Sequence, residues 1–499
     1  MNSSFVKAIA CCVTLAALLS ISSAVAAERG ALRVGAARVD FTPPDNPEWS
    51  AGKYKHQLPY TLQGEHPPSG KYDHERVYAR AIVLDNGVTR AALIGVDSII
   101  LWDDIWTRAS KQIASDLNCP VENIIMSASH SHSVNYEPVP EPPEIKEPSS
   151  APAMLAAIVE AAHQAKAKLQ PARVGYGVGL SYFNANRDLP LNEPDHLWSE
   201  QANLNGPSDK TLAVLTFTTP AGDPIAAYMN YGMHPTYIYL SGVISGDFPG
   251  AACRYVEKQF DDKMVMVFSQ AAQGDQMPVW LRPASNVMAS RSGVKITGYE
   301  MGREVLEHPL REGLVPFGPV DPQVLDNVEH WVESLGQLLG EDVIRVMTQT
   351  HNKAMSGDVT IWAAQKMLTC PGRKRTGEAQ LGPAYHSVEG KPETFQDSKP
   401  VYVRLGVLGI GDIALTSVDA EIYAMIAQRV KTNSPMANTV VVTLANGFTL
   451  GGYIPDDASF SHYTFEVLSS HFKPGCAEQG IADGLDSLVT EYMTNHMNK

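Results

Sequence analysis

Two histidines close together in the sequence are the first residues whose types and spacing could do chemistry. His130 and His132 come just after Asn123–Ser127, an apolar run that predicts a buried strand. On an extended backbone, side chains two residues apart point to the same face. Neutral imidazole is the commonest metal ligand and a frequent general acid or base near neutral pH. The pair therefore indicates a metal or proton-transfer site, although two polar residues in a loop would give the same pattern.

Three further residues with metal-binding side chains stand just past other predicted strands. They are His234 after Pro224–Met233, Glu421 after Ile413–Ser417 and Tyr453 after Thr439–Leu444. Strand ends that are far apart in sequence can converge on one crevice. Two histidines and a carboxylate with an open position form a recurring catalytic zinc site. Such a zinc lowers the pKa of its bound water to about 7. With His130, these residues predict a Zn²⁺ site.

Two of these residues also have purely structural interpretations. Glu421 could begin a predicted helix, Glu421–Lys431, because a carboxylate stabilises the positive end of a helix dipole. Tyr453 could be an aromatic residue of a turn that packs on the core. A free phenol has a pKa near 10, so Tyr453 would bind a metal well only if the metal promoted its ionisation. Otherwise it could donate a hydrogen bond.

A strand–helix–strand unit surrounds the first histidine pair. The predicted elements are Arg90–Val96, the amphipathic stretch Trp102–Leu117 and Asn123–Ser127. This order within about forty residues is typical of a βαβ unit with parallel strands. His130 would then lie just beyond the carboxyl end of its strand, where open α/β sheets bind ligands.

The rest of the chain predicts a layered α/β domain with more than one sheet. The further predicted strands are Leu32–Phe41, Arg76–Asp85, Ala172–Phe183, Thr211–Thr219, Met264–Ser269, Val359–Ala364 and Val401–Ile410. The further predicted helices are Ala153–Leu169, Gly250–Phe260, Val324–Gln349 and a C-terminal one from Glu478 to about Asn495. The proline-rich Glu137–Pro152 predicts a long loop that forms a lid or rim. No repeat or linker divides the chain, so we expect one domain over residues 27–499.

The N-terminus predicts export. Lys7 precedes the apolar run Ala8–Ile21, and Ser22–Ala26 ends in a small-residue cleavage pattern. These are the parts of a signal peptide, residues 1–26, and not of a transmembrane anchor. No later stretch reaches the ~18 apolar residues of a spanning helix. We therefore expect a soluble protein, periplasmic or secreted.

The net charge bears on possible binding partners, and the cysteine content bears on possible disulfides. The formal net charge of −15 argues against nucleic-acid binding. Four cysteines follow the predicted signal peptide, Cys119, Cys253, Cys370 and Cys476. An exported protein can form disulfides, and four cysteines allow three complete pairings that the sequence does not separate. The oligomeric state is equally unspecified.

A series of short motifs resembles the neutral/alkaline non-lysosomal ceramidase family along nearly the whole mature chain. Ser127–Ser133 is similar to the family's SATHTHS signature. The other matching stretches, in the family's order, are Val34–Pro43, Asp73–Ala81, Asn186-Arg187, Met233–Thr236, Ser245–Gly250, Phe268–Asp275, Glu421 with its helix and Gly452-Tyr453. The chain resembles the N-terminal catalytic domain of that family, and we expect no β-rich C-terminal domain after it.

The resemblance implies a fold, a reaction and a set of site residues. The implied fold is an αββα-type core with two mixed sheets between helical layers. The implied zinc ligands are the same four residues, His130, His234, Glu421 and Tyr453. His132 and Arg187 would act on the substrate by polarising a carbonyl and stabilising the tetrahedral oxyanion. The implied reaction is cleavage of a ceramide-like N-acyl amide by zinc-bound hydroxide.

Three departures from the family pattern leave the substrate open. Met277 stands where the family has a functionally important serine, and Phe465 replaces a common tyrosine before Glu466. The signature continues with Val134–Pro138 in place of Gly-Pro-Gly. One alternative is therefore a non-ceramide amide or ester, such as an N-acyl amino sugar. Another is a non-catalytic binding protein on the same scaffold.

Overall fold

The computed structural model describes most of the chain after the predicted signal peptide. The described residues are 29–42, 76–134, 151–190, 198–238, 244–280, 286, 290, 321–353, 355–376, 394–462 and 464–497. The predicted signal peptide lies outside them, as does nearly all of the loop Glu137–Pro152.

The described strands and helices follow the predicted order closely. The strands are β1 (Arg29–Ala31), β2 (Arg33–Asp40), β3 (Tyr78–Asp85), β4 (Arg90–Val96), β5 (Ile124–Ala128), β6 (Gln170–Pro171), β7 (Arg173–Leu180), β8 (Asn184–Pro190), β9 (Trp198–Asn203), β10 (Thr211–Thr218), β11 (Pro224–Tyr231), β12 (Val265–Gln270), β13 (Gln276–Pro278), β14 (Asp358–Arg375), β15 (Phe395–Ile410), β16 (Ile413–Val418), β17 (Glu421–Ile422), β18 (Asn438–Val442) and β19 (Tyr453–Ile454). The α-helices are α1 (Asp103–Leu117), α2 (Ala151–Ala167), α3 (Asp247–Gln259), α4 (Pro322–His351), α5 (Ala424–Asn433), α6 (Phe465–Ser469) and α7 (Ala477–Tyr492).

The first layer is a five-stranded sheet in the order β6-β2-β3-β4-β5. Strands β4 and β5 are parallel, and α1 forms the crossover between them. Helix α1 begins with Asp103 and Asp104, whose carboxylates stabilise the positive end of the dipole, and it ends at left-handed Asn118. Its apolar face packs with α2 on the outer face of the sheet. The predicted βαβ unit is confirmed.

The second layer contains two sheets. One has the order β12-β11-β10-β7 and is covered by α3 and α4. The other has the order β1-β14-β15-β16-β18 and is covered by α5 and α7. Each contains one parallel pair, β11 with β12 and β16 with β18.

The two layers pack face to face through an apolar core. Ile82 and Leu93 of the first layer share this core with Leu215, Tyr228 and Leu408 of the second. The order of layers is therefore helix, sheet, sheet, helix, which confirms the predicted layered α/β architecture. The described strands also form a three-stranded sheet, β13-β8-β9, and the pair β17-β19, which the sequence did not predict.

One predicted helix starts later than expected. We predicted a helix from Glu421, but α5 begins at Ala424. Glu421 instead lies in β17, where it pairs in parallel register with Tyr453 of β19. The interpretation of Glu421 as a helix-starting carboxylate is therefore wrong, and the residue is free for another role.

One disulfide joins Cys370 of β14 to Cys476, which precedes α7. Cys119 and Cys253 are free thiols. Among the described helices, none combines the length and apolarity that crossing a bilayer requires.

Loss of this disulfide is expected to destabilise the protein without changing the chemistry of the site. The cross-link spans 106 residues, and closing a loop of that size is worth up to about 4.7 kcal/mol by chain entropy, with 2–5 kcal/mol commonly measured. Cys370→Ala/Cys476→Ala should lower the urea midpoint accordingly. A reductant should shift the midpoint of the wild-type protein but not that of the double variant. An unchanged midpoint for reduced wild-type protein would contradict this expectation.

Candidate metal centre

His130 lies just past the carboxyl end of β5, in a left-handed conformation with φ 69°. Its backbone N–H donates to the Ser98 carbonyl at 2.8 Å. Its Nδ1 donates to the Ile99 carbonyl at 2.7 Å. The expectation of an extended backbone at the histidine pair is therefore wrong. The two rings still meet, with Nε2 of His132 3.2 Å from Nε2 of His130, because the chain turns at His130.

His234 follows β11 and is held in the same way by the chain leading into β13. Its backbone N–H and its Nδ1 both lie within hydrogen-bond distance of the Gln276 carbonyl, at 3.2 and 2.9 Å. A carbonyl can only accept, so Nδ1 carries the proton in both His130 and His234. In the neutral rings Nε2 then bears a lone pair. Such a carbonyl contact at Nδ1 is the usual way in which proteins orient a metal-binding histidine.

Glu421 and Tyr453 bring oxygen atoms to the same place. Glu421 Oε2 lies 3.1 Å from Nε2 of His130 and 3.2 Å from Nε2 of His234. Tyr453 Oη lies 3.3 Å from Nε2 of His234. Parallel pairing of Glu421 with Tyr453 brings these two side chains together. The structure thus gathers all four predicted ligands into one cluster, the His130–His234–Glu421–Tyr453 cluster.

Burial controls the protonation of this cluster. It lowers the pKa of His234 to about 3. It also lowers the pKa of His132 well below its ordinary value, with His130 and His234 adding to the effect. Burial disfavours ionised Glu421, but His130 and His234 outweigh it and hold the pKa of this carboxyl well below its usual range. A buried carboxylate among imidazoles needs a cation beside it, either an added proton or a metal ion.

The donor atoms suit one four-coordinate ion. Zinc binds nitrogen and oxygen ligands at about 2.0–2.2 Å, so tetrahedral neighbours lie about 3.3–3.6 Å apart. The separations of 3.1, 3.2 and 3.3 Å within the cluster are close to this spacing. Glu421 Oε2 is buried and has no hydrogen-bond partner among the described residues. His132 also lies near enough to form a three-histidine group with His130 and His234, which makes it the alternative ligand.

Burial opposes ionisation of the phenol in the cluster. It raises the pKa of Tyr453 well above its ordinary value, Glu421 adds to this, and Arg187 opposes it. The Arg187 guanidinium carbon lies 5.4 Å from the centroid of the Tyr453 ring. Any ionised state of this phenol thus depends on the positive charges beside it.

Arg187 lies beside Tyr453 of the cluster, and hydrogen-bond acceptors surround its guanidinium group. Its Nη2 lies 2.5 Å from Glu466 Oε1 and donates to the Gly274 carbonyl at 2.6 Å. Its Nη1 lies 3.3 Å from Glu200 Oε1. Burial would lower the pKa of Arg187, but Glu466 outweighs it and keeps that pKa well above the ordinary value. Among the described residues, Arg187 Nε has no hydrogen-bond acceptor, so one buried donor remains for another group.

In the sequence, Gln270 is one residue of a family motif and has no assigned role. In the structure its side chain connects the segment before His130 to the segment before His234. Gln270 Nε2 donates to the Ser129 carbonyl at 2.7 Å and to the Met233 carbonyl at 3.0 Å. Its Oε1 accepts from the Met233 N–H at 3.3 Å. Ser129 and Met233 directly precede His130 and His234. One buried amide therefore fixes the backbone on which both imidazoles stand.

Gln270→Glu is expected to weaken zinc binding about 10–100-fold, the usual effect of removing a group that orients a metal ligand. The substitution keeps the shape but turns a carboxylate oxygen toward two carbonyl oxygens. The zinc Kd can be measured by competition with a chromophoric chelator. Gln112→Glu, on the exposed face of α1, is the matched control and should leave the Kd unchanged. Equal affinities for Gln270→Glu and wild type would disprove this role.

Two other residues of the sequence motifs hold neighbouring segments in place by hydrogen bonds. Asp275 accepts hydrogen bonds from the Ala424 N–H at the start of α5 and from the Asn186 side chain, at 2.8 and 2.9 Å. Burial raises the pKa of Asp275 to about 7. Asp247 Oδ2 accepts from the backbone N–H groups of Tyr237 and Ile238 at 2.9 and 3.1 Å. These motif residues are therefore structural, and they hold the segments that carry the cluster.

The two substituted positions lie beside the cluster. Met277 is buried in β13, opposite Ala185 of β8 and next to Gln276, whose carbonyl orients His234. The Phe465 ring packs edge-to-face on Tyr453, with centroids 5.6 Å apart. The Phe465 side chain therefore contacts the cluster directly, whereas Met277 adjoins a residue that does.

Comparison with known proteins gives one family and one fold. Residues 69–295 match the family model described as neutral/alkaline non-lysosomal ceramidase, N-terminal. Neutral ceramidase A of Dictyostelium discoideum is 25% identical over 231 residues, which cover 41% of this chain and 31% of that protein. The match thus spans less than a third of the length of that relative.

Two solved structures are similar over almost all of this chain. One is described as ceramidase complexed with C2, with a TM-score of 0.64 and 16% identity, covering 94% of this chain and 76% of that one. The other is neutral ceramidase from Pseudomonas aeruginosa, with a TM-score of 0.63 and 16% identity, covering 93% and 75%. At this identity the likeness establishes the fold.

Proposed function

This chain is a relative of the neutral/alkaline non-lysosomal ceramidases, and we propose that it is a zinc-dependent hydrolase of N-acyl amides. One observation carries the proposal. The side chains of His130, His234, Glu421 and Tyr453 meet at the ends of strands from different sheets, with a buried carboxylate oxygen that lacks a hydrogen-bond partner among the described residues.

His130, His234, Glu421 and Tyr453 would hold the zinc. When bound there, the ion would polarise the scissile carbonyl and lower the pKa of a coordinated water. The carbonyls of Ile99 and Gln276 fix both imidazoles with Nε2 directed into the cluster.

His132 would serve as the proton carrier. Its Nε2 lies 3.2 Å from Nε2 of His130, so it stands at the edge of the cluster. Its lowered pKa keeps the ring neutral, which is the form that can accept a proton. We propose that His132 removes a proton from the attacking water and passes one to the leaving amine.

Arg187 would stabilise the negative charge that develops on the substrate oxygen. It is a buried, permanently charged group with an unpaired Nε–H donor among the described residues. Preorganised donors of this kind are worth about 10²–10³ in rate when aimed at an oxyanion.

The substrate class is tested with purified protein loaded with zinc. A long-chain ceramide, an N-acyl amino sugar and an O-acyl sugar would be compared, with release of the fatty acid as the readout. We expect amide cleavage, and release of fatty acid from ceramide would identify ceramide as the substrate. Cleavage of the sugar amide or of the sugar ester alone favours the non-ceramide alternative. Failure to cleave any of the three substrates with zinc bound favours the binding-protein alternative.

Met277→Ser is expected to raise ceramide turnover relative to the other amides. A serine hydroxyl adds a donor that methionine lacks, and one hydrogen bond of about 0.5–1.5 kcal/mol corresponds to about a 2–10-fold change. Met277→Ala removes the same bulk without adding the hydroxyl and is the matched control. Equal ceramide turnover in the serine and alanine variants would show that this position does not set specificity.

We further propose that residues 1–26 are a signal peptide, that the protein is exported, and that residues 27–499 form one catalytic domain. The N-terminal pattern of Lys7, Ala8–Ile21 and Ser22–Ala26 supports export. The expected partner is a small or lipid-like N-acyl substrate and not a nucleic acid, in keeping with the net charge of −15.

A further inference from the structure

The short helix α6 places one side chain against Tyr453 and the next one against Arg187. Phe465 packs edge-to-face on the Tyr453 ring, with centroids 5.6 Å apart. Glu466 Oε1 lies 2.5 Å from Arg187 Nη2. The same helix therefore contacts Tyr453 directly through one residue and indirectly through the next.

Glu466 and Arg187 depend on one another. The Glu466 side chain is fully buried and that of Arg187 is 5% exposed. A buried charge without a partner is strongly unfavourable, so each of these groups keeps the other in place. Glu200 also contacts Arg187, but at 3.3 Å and with a side chain that is 17% exposed, so solvent weakens that pair.

Tyr453 has little local support of its own. It lies in a two-residue strand that pairs with β17. The direction of its phenol is thus set by side chains around it, and the Arg187 guanidinium carbon lies 5.4 Å from the centroid of its ring. Tyr453 Oη in turn lies 3.3 Å from Nε2 of His234.

We propose that Glu466 is a positioning residue for the metal centre, which holds Arg187 against Tyr453 and thereby directs the phenol oxygen toward the ion. This inference rests on the proposed zinc-binding function. It gives Glu466 a role at the metal although the residue does not contact the cluster itself. A carboxylate that only stabilised the fold would not affect metal affinity.

The test is the zinc Kd of purified variants, measured by chelator competition without any substrate. Glu466→Gln keeps the shape and removes the charge, and it should raise the Kd about 10–100-fold, as loss of a supporting group does. Glu200→Gln removes the other carboxylate beside Arg187 and should leave the Kd close to the wild-type value. A lower melting temperature with an unchanged Kd would assign Glu466 to the fold alone and overturn the proposal.

A double-mutant cycle with Tyr453→Phe shows whether the effect passes through the phenol. In the Tyr453→Phe background, Glu466→Gln should cause no further loss of zinc affinity. An equal loss in both backgrounds would overturn the proposal. If Glu466→Gln does not fold, Glu466→Asp keeps the charge but withdraws it by one methylene, and it should weaken zinc binding in the same Tyr453-dependent way.

The two proposals fail in different ways. If wild-type protein binds zinc tightly and Glu466 substitutions have no effect, the proposed metal centre is supported but the proposed role of Glu466 is wrong. Absence of zinc binding by wild-type protein would overturn both.

Discussion

His130→Ala and His234→Ala are each expected to abolish amide hydrolysis and to lose bound zinc. Each substitution removes one of four donors in a cluster whose atoms lie 3.1–3.3 Å apart. It also leaves Glu421 with one imidazole fewer beside a buried carboxylate. Changes in groups that merely orient a ligand already cost about 10–100-fold in metal affinity, so loss of a ligand should cost more.

Metal content and amidase rate would be measured on the same preparations, with folding checked by circular dichroism. His330→Ala is the matched control, because this histidine lies on the exposed face of α4 and its ring bonds to the Asp326 carbonyl of the same helix. It should keep both zinc and activity. Normal zinc occupancy in folded His130→Ala or His234→Ala protein would contradict the assignment of these ligands.

His132→Ala is expected to lower turnover by about 10²–10⁴-fold, the contribution of a positioned general acid–base group, while zinc stays bound. The reason is that His130, His234, Glu421 and Tyr453 already supply four donors. Turnover and zinc content would again be measured together. Added imidazole should restore part of the lost rate, since it can carry the proton from solution.

The competing assignment makes His132 a ligand, because a ring nitrogen of each of the three histidines lies within 4.8 Å of the others. That assignment expects His132→Ala to lose zinc as His130→Ala does. Loss of zinc from folded His132→Ala protein, without rescue by imidazole, would therefore show that His132 is a metal ligand and does not act on the substrate.

Local sequence pattern indicated the residues of the cluster because each comes after an apolar run that predicts a strand. Short apolar runs mark buried strands such as β5 and β11, and strand ends in layered α/β folds converge. His130 and His234 could therefore be placed at one edge from sequence alone. The layered architecture was predicted for the same reason, since strands alternate with amphipathic helices along the chain.

The supporting contacts could not be predicted in this way because they join residues far apart in the chain. Gln270 bonds to Ser129 across 141 residues, and Glu466 meets Arg187 from a five-residue helix that carries no distinct periodicity. The left-handed turn at His130 and the position of Glu421 in β17 also depend on neighbouring strands. Local sequence preference favours a helix at Glu421, but parallel strand pairing with Tyr453 outweighs that preference.

The most direct test of the zinc-hydrolase account is metal analysis of the purified protein, coupled to activity. We predict about one zinc per chain after dialysis, in keeping with the four donors of the cluster. A strong chelator should remove both the zinc and the amidase activity, and added Zn²⁺ should restore both. Full amide hydrolysis by metal-free protein would contradict the account.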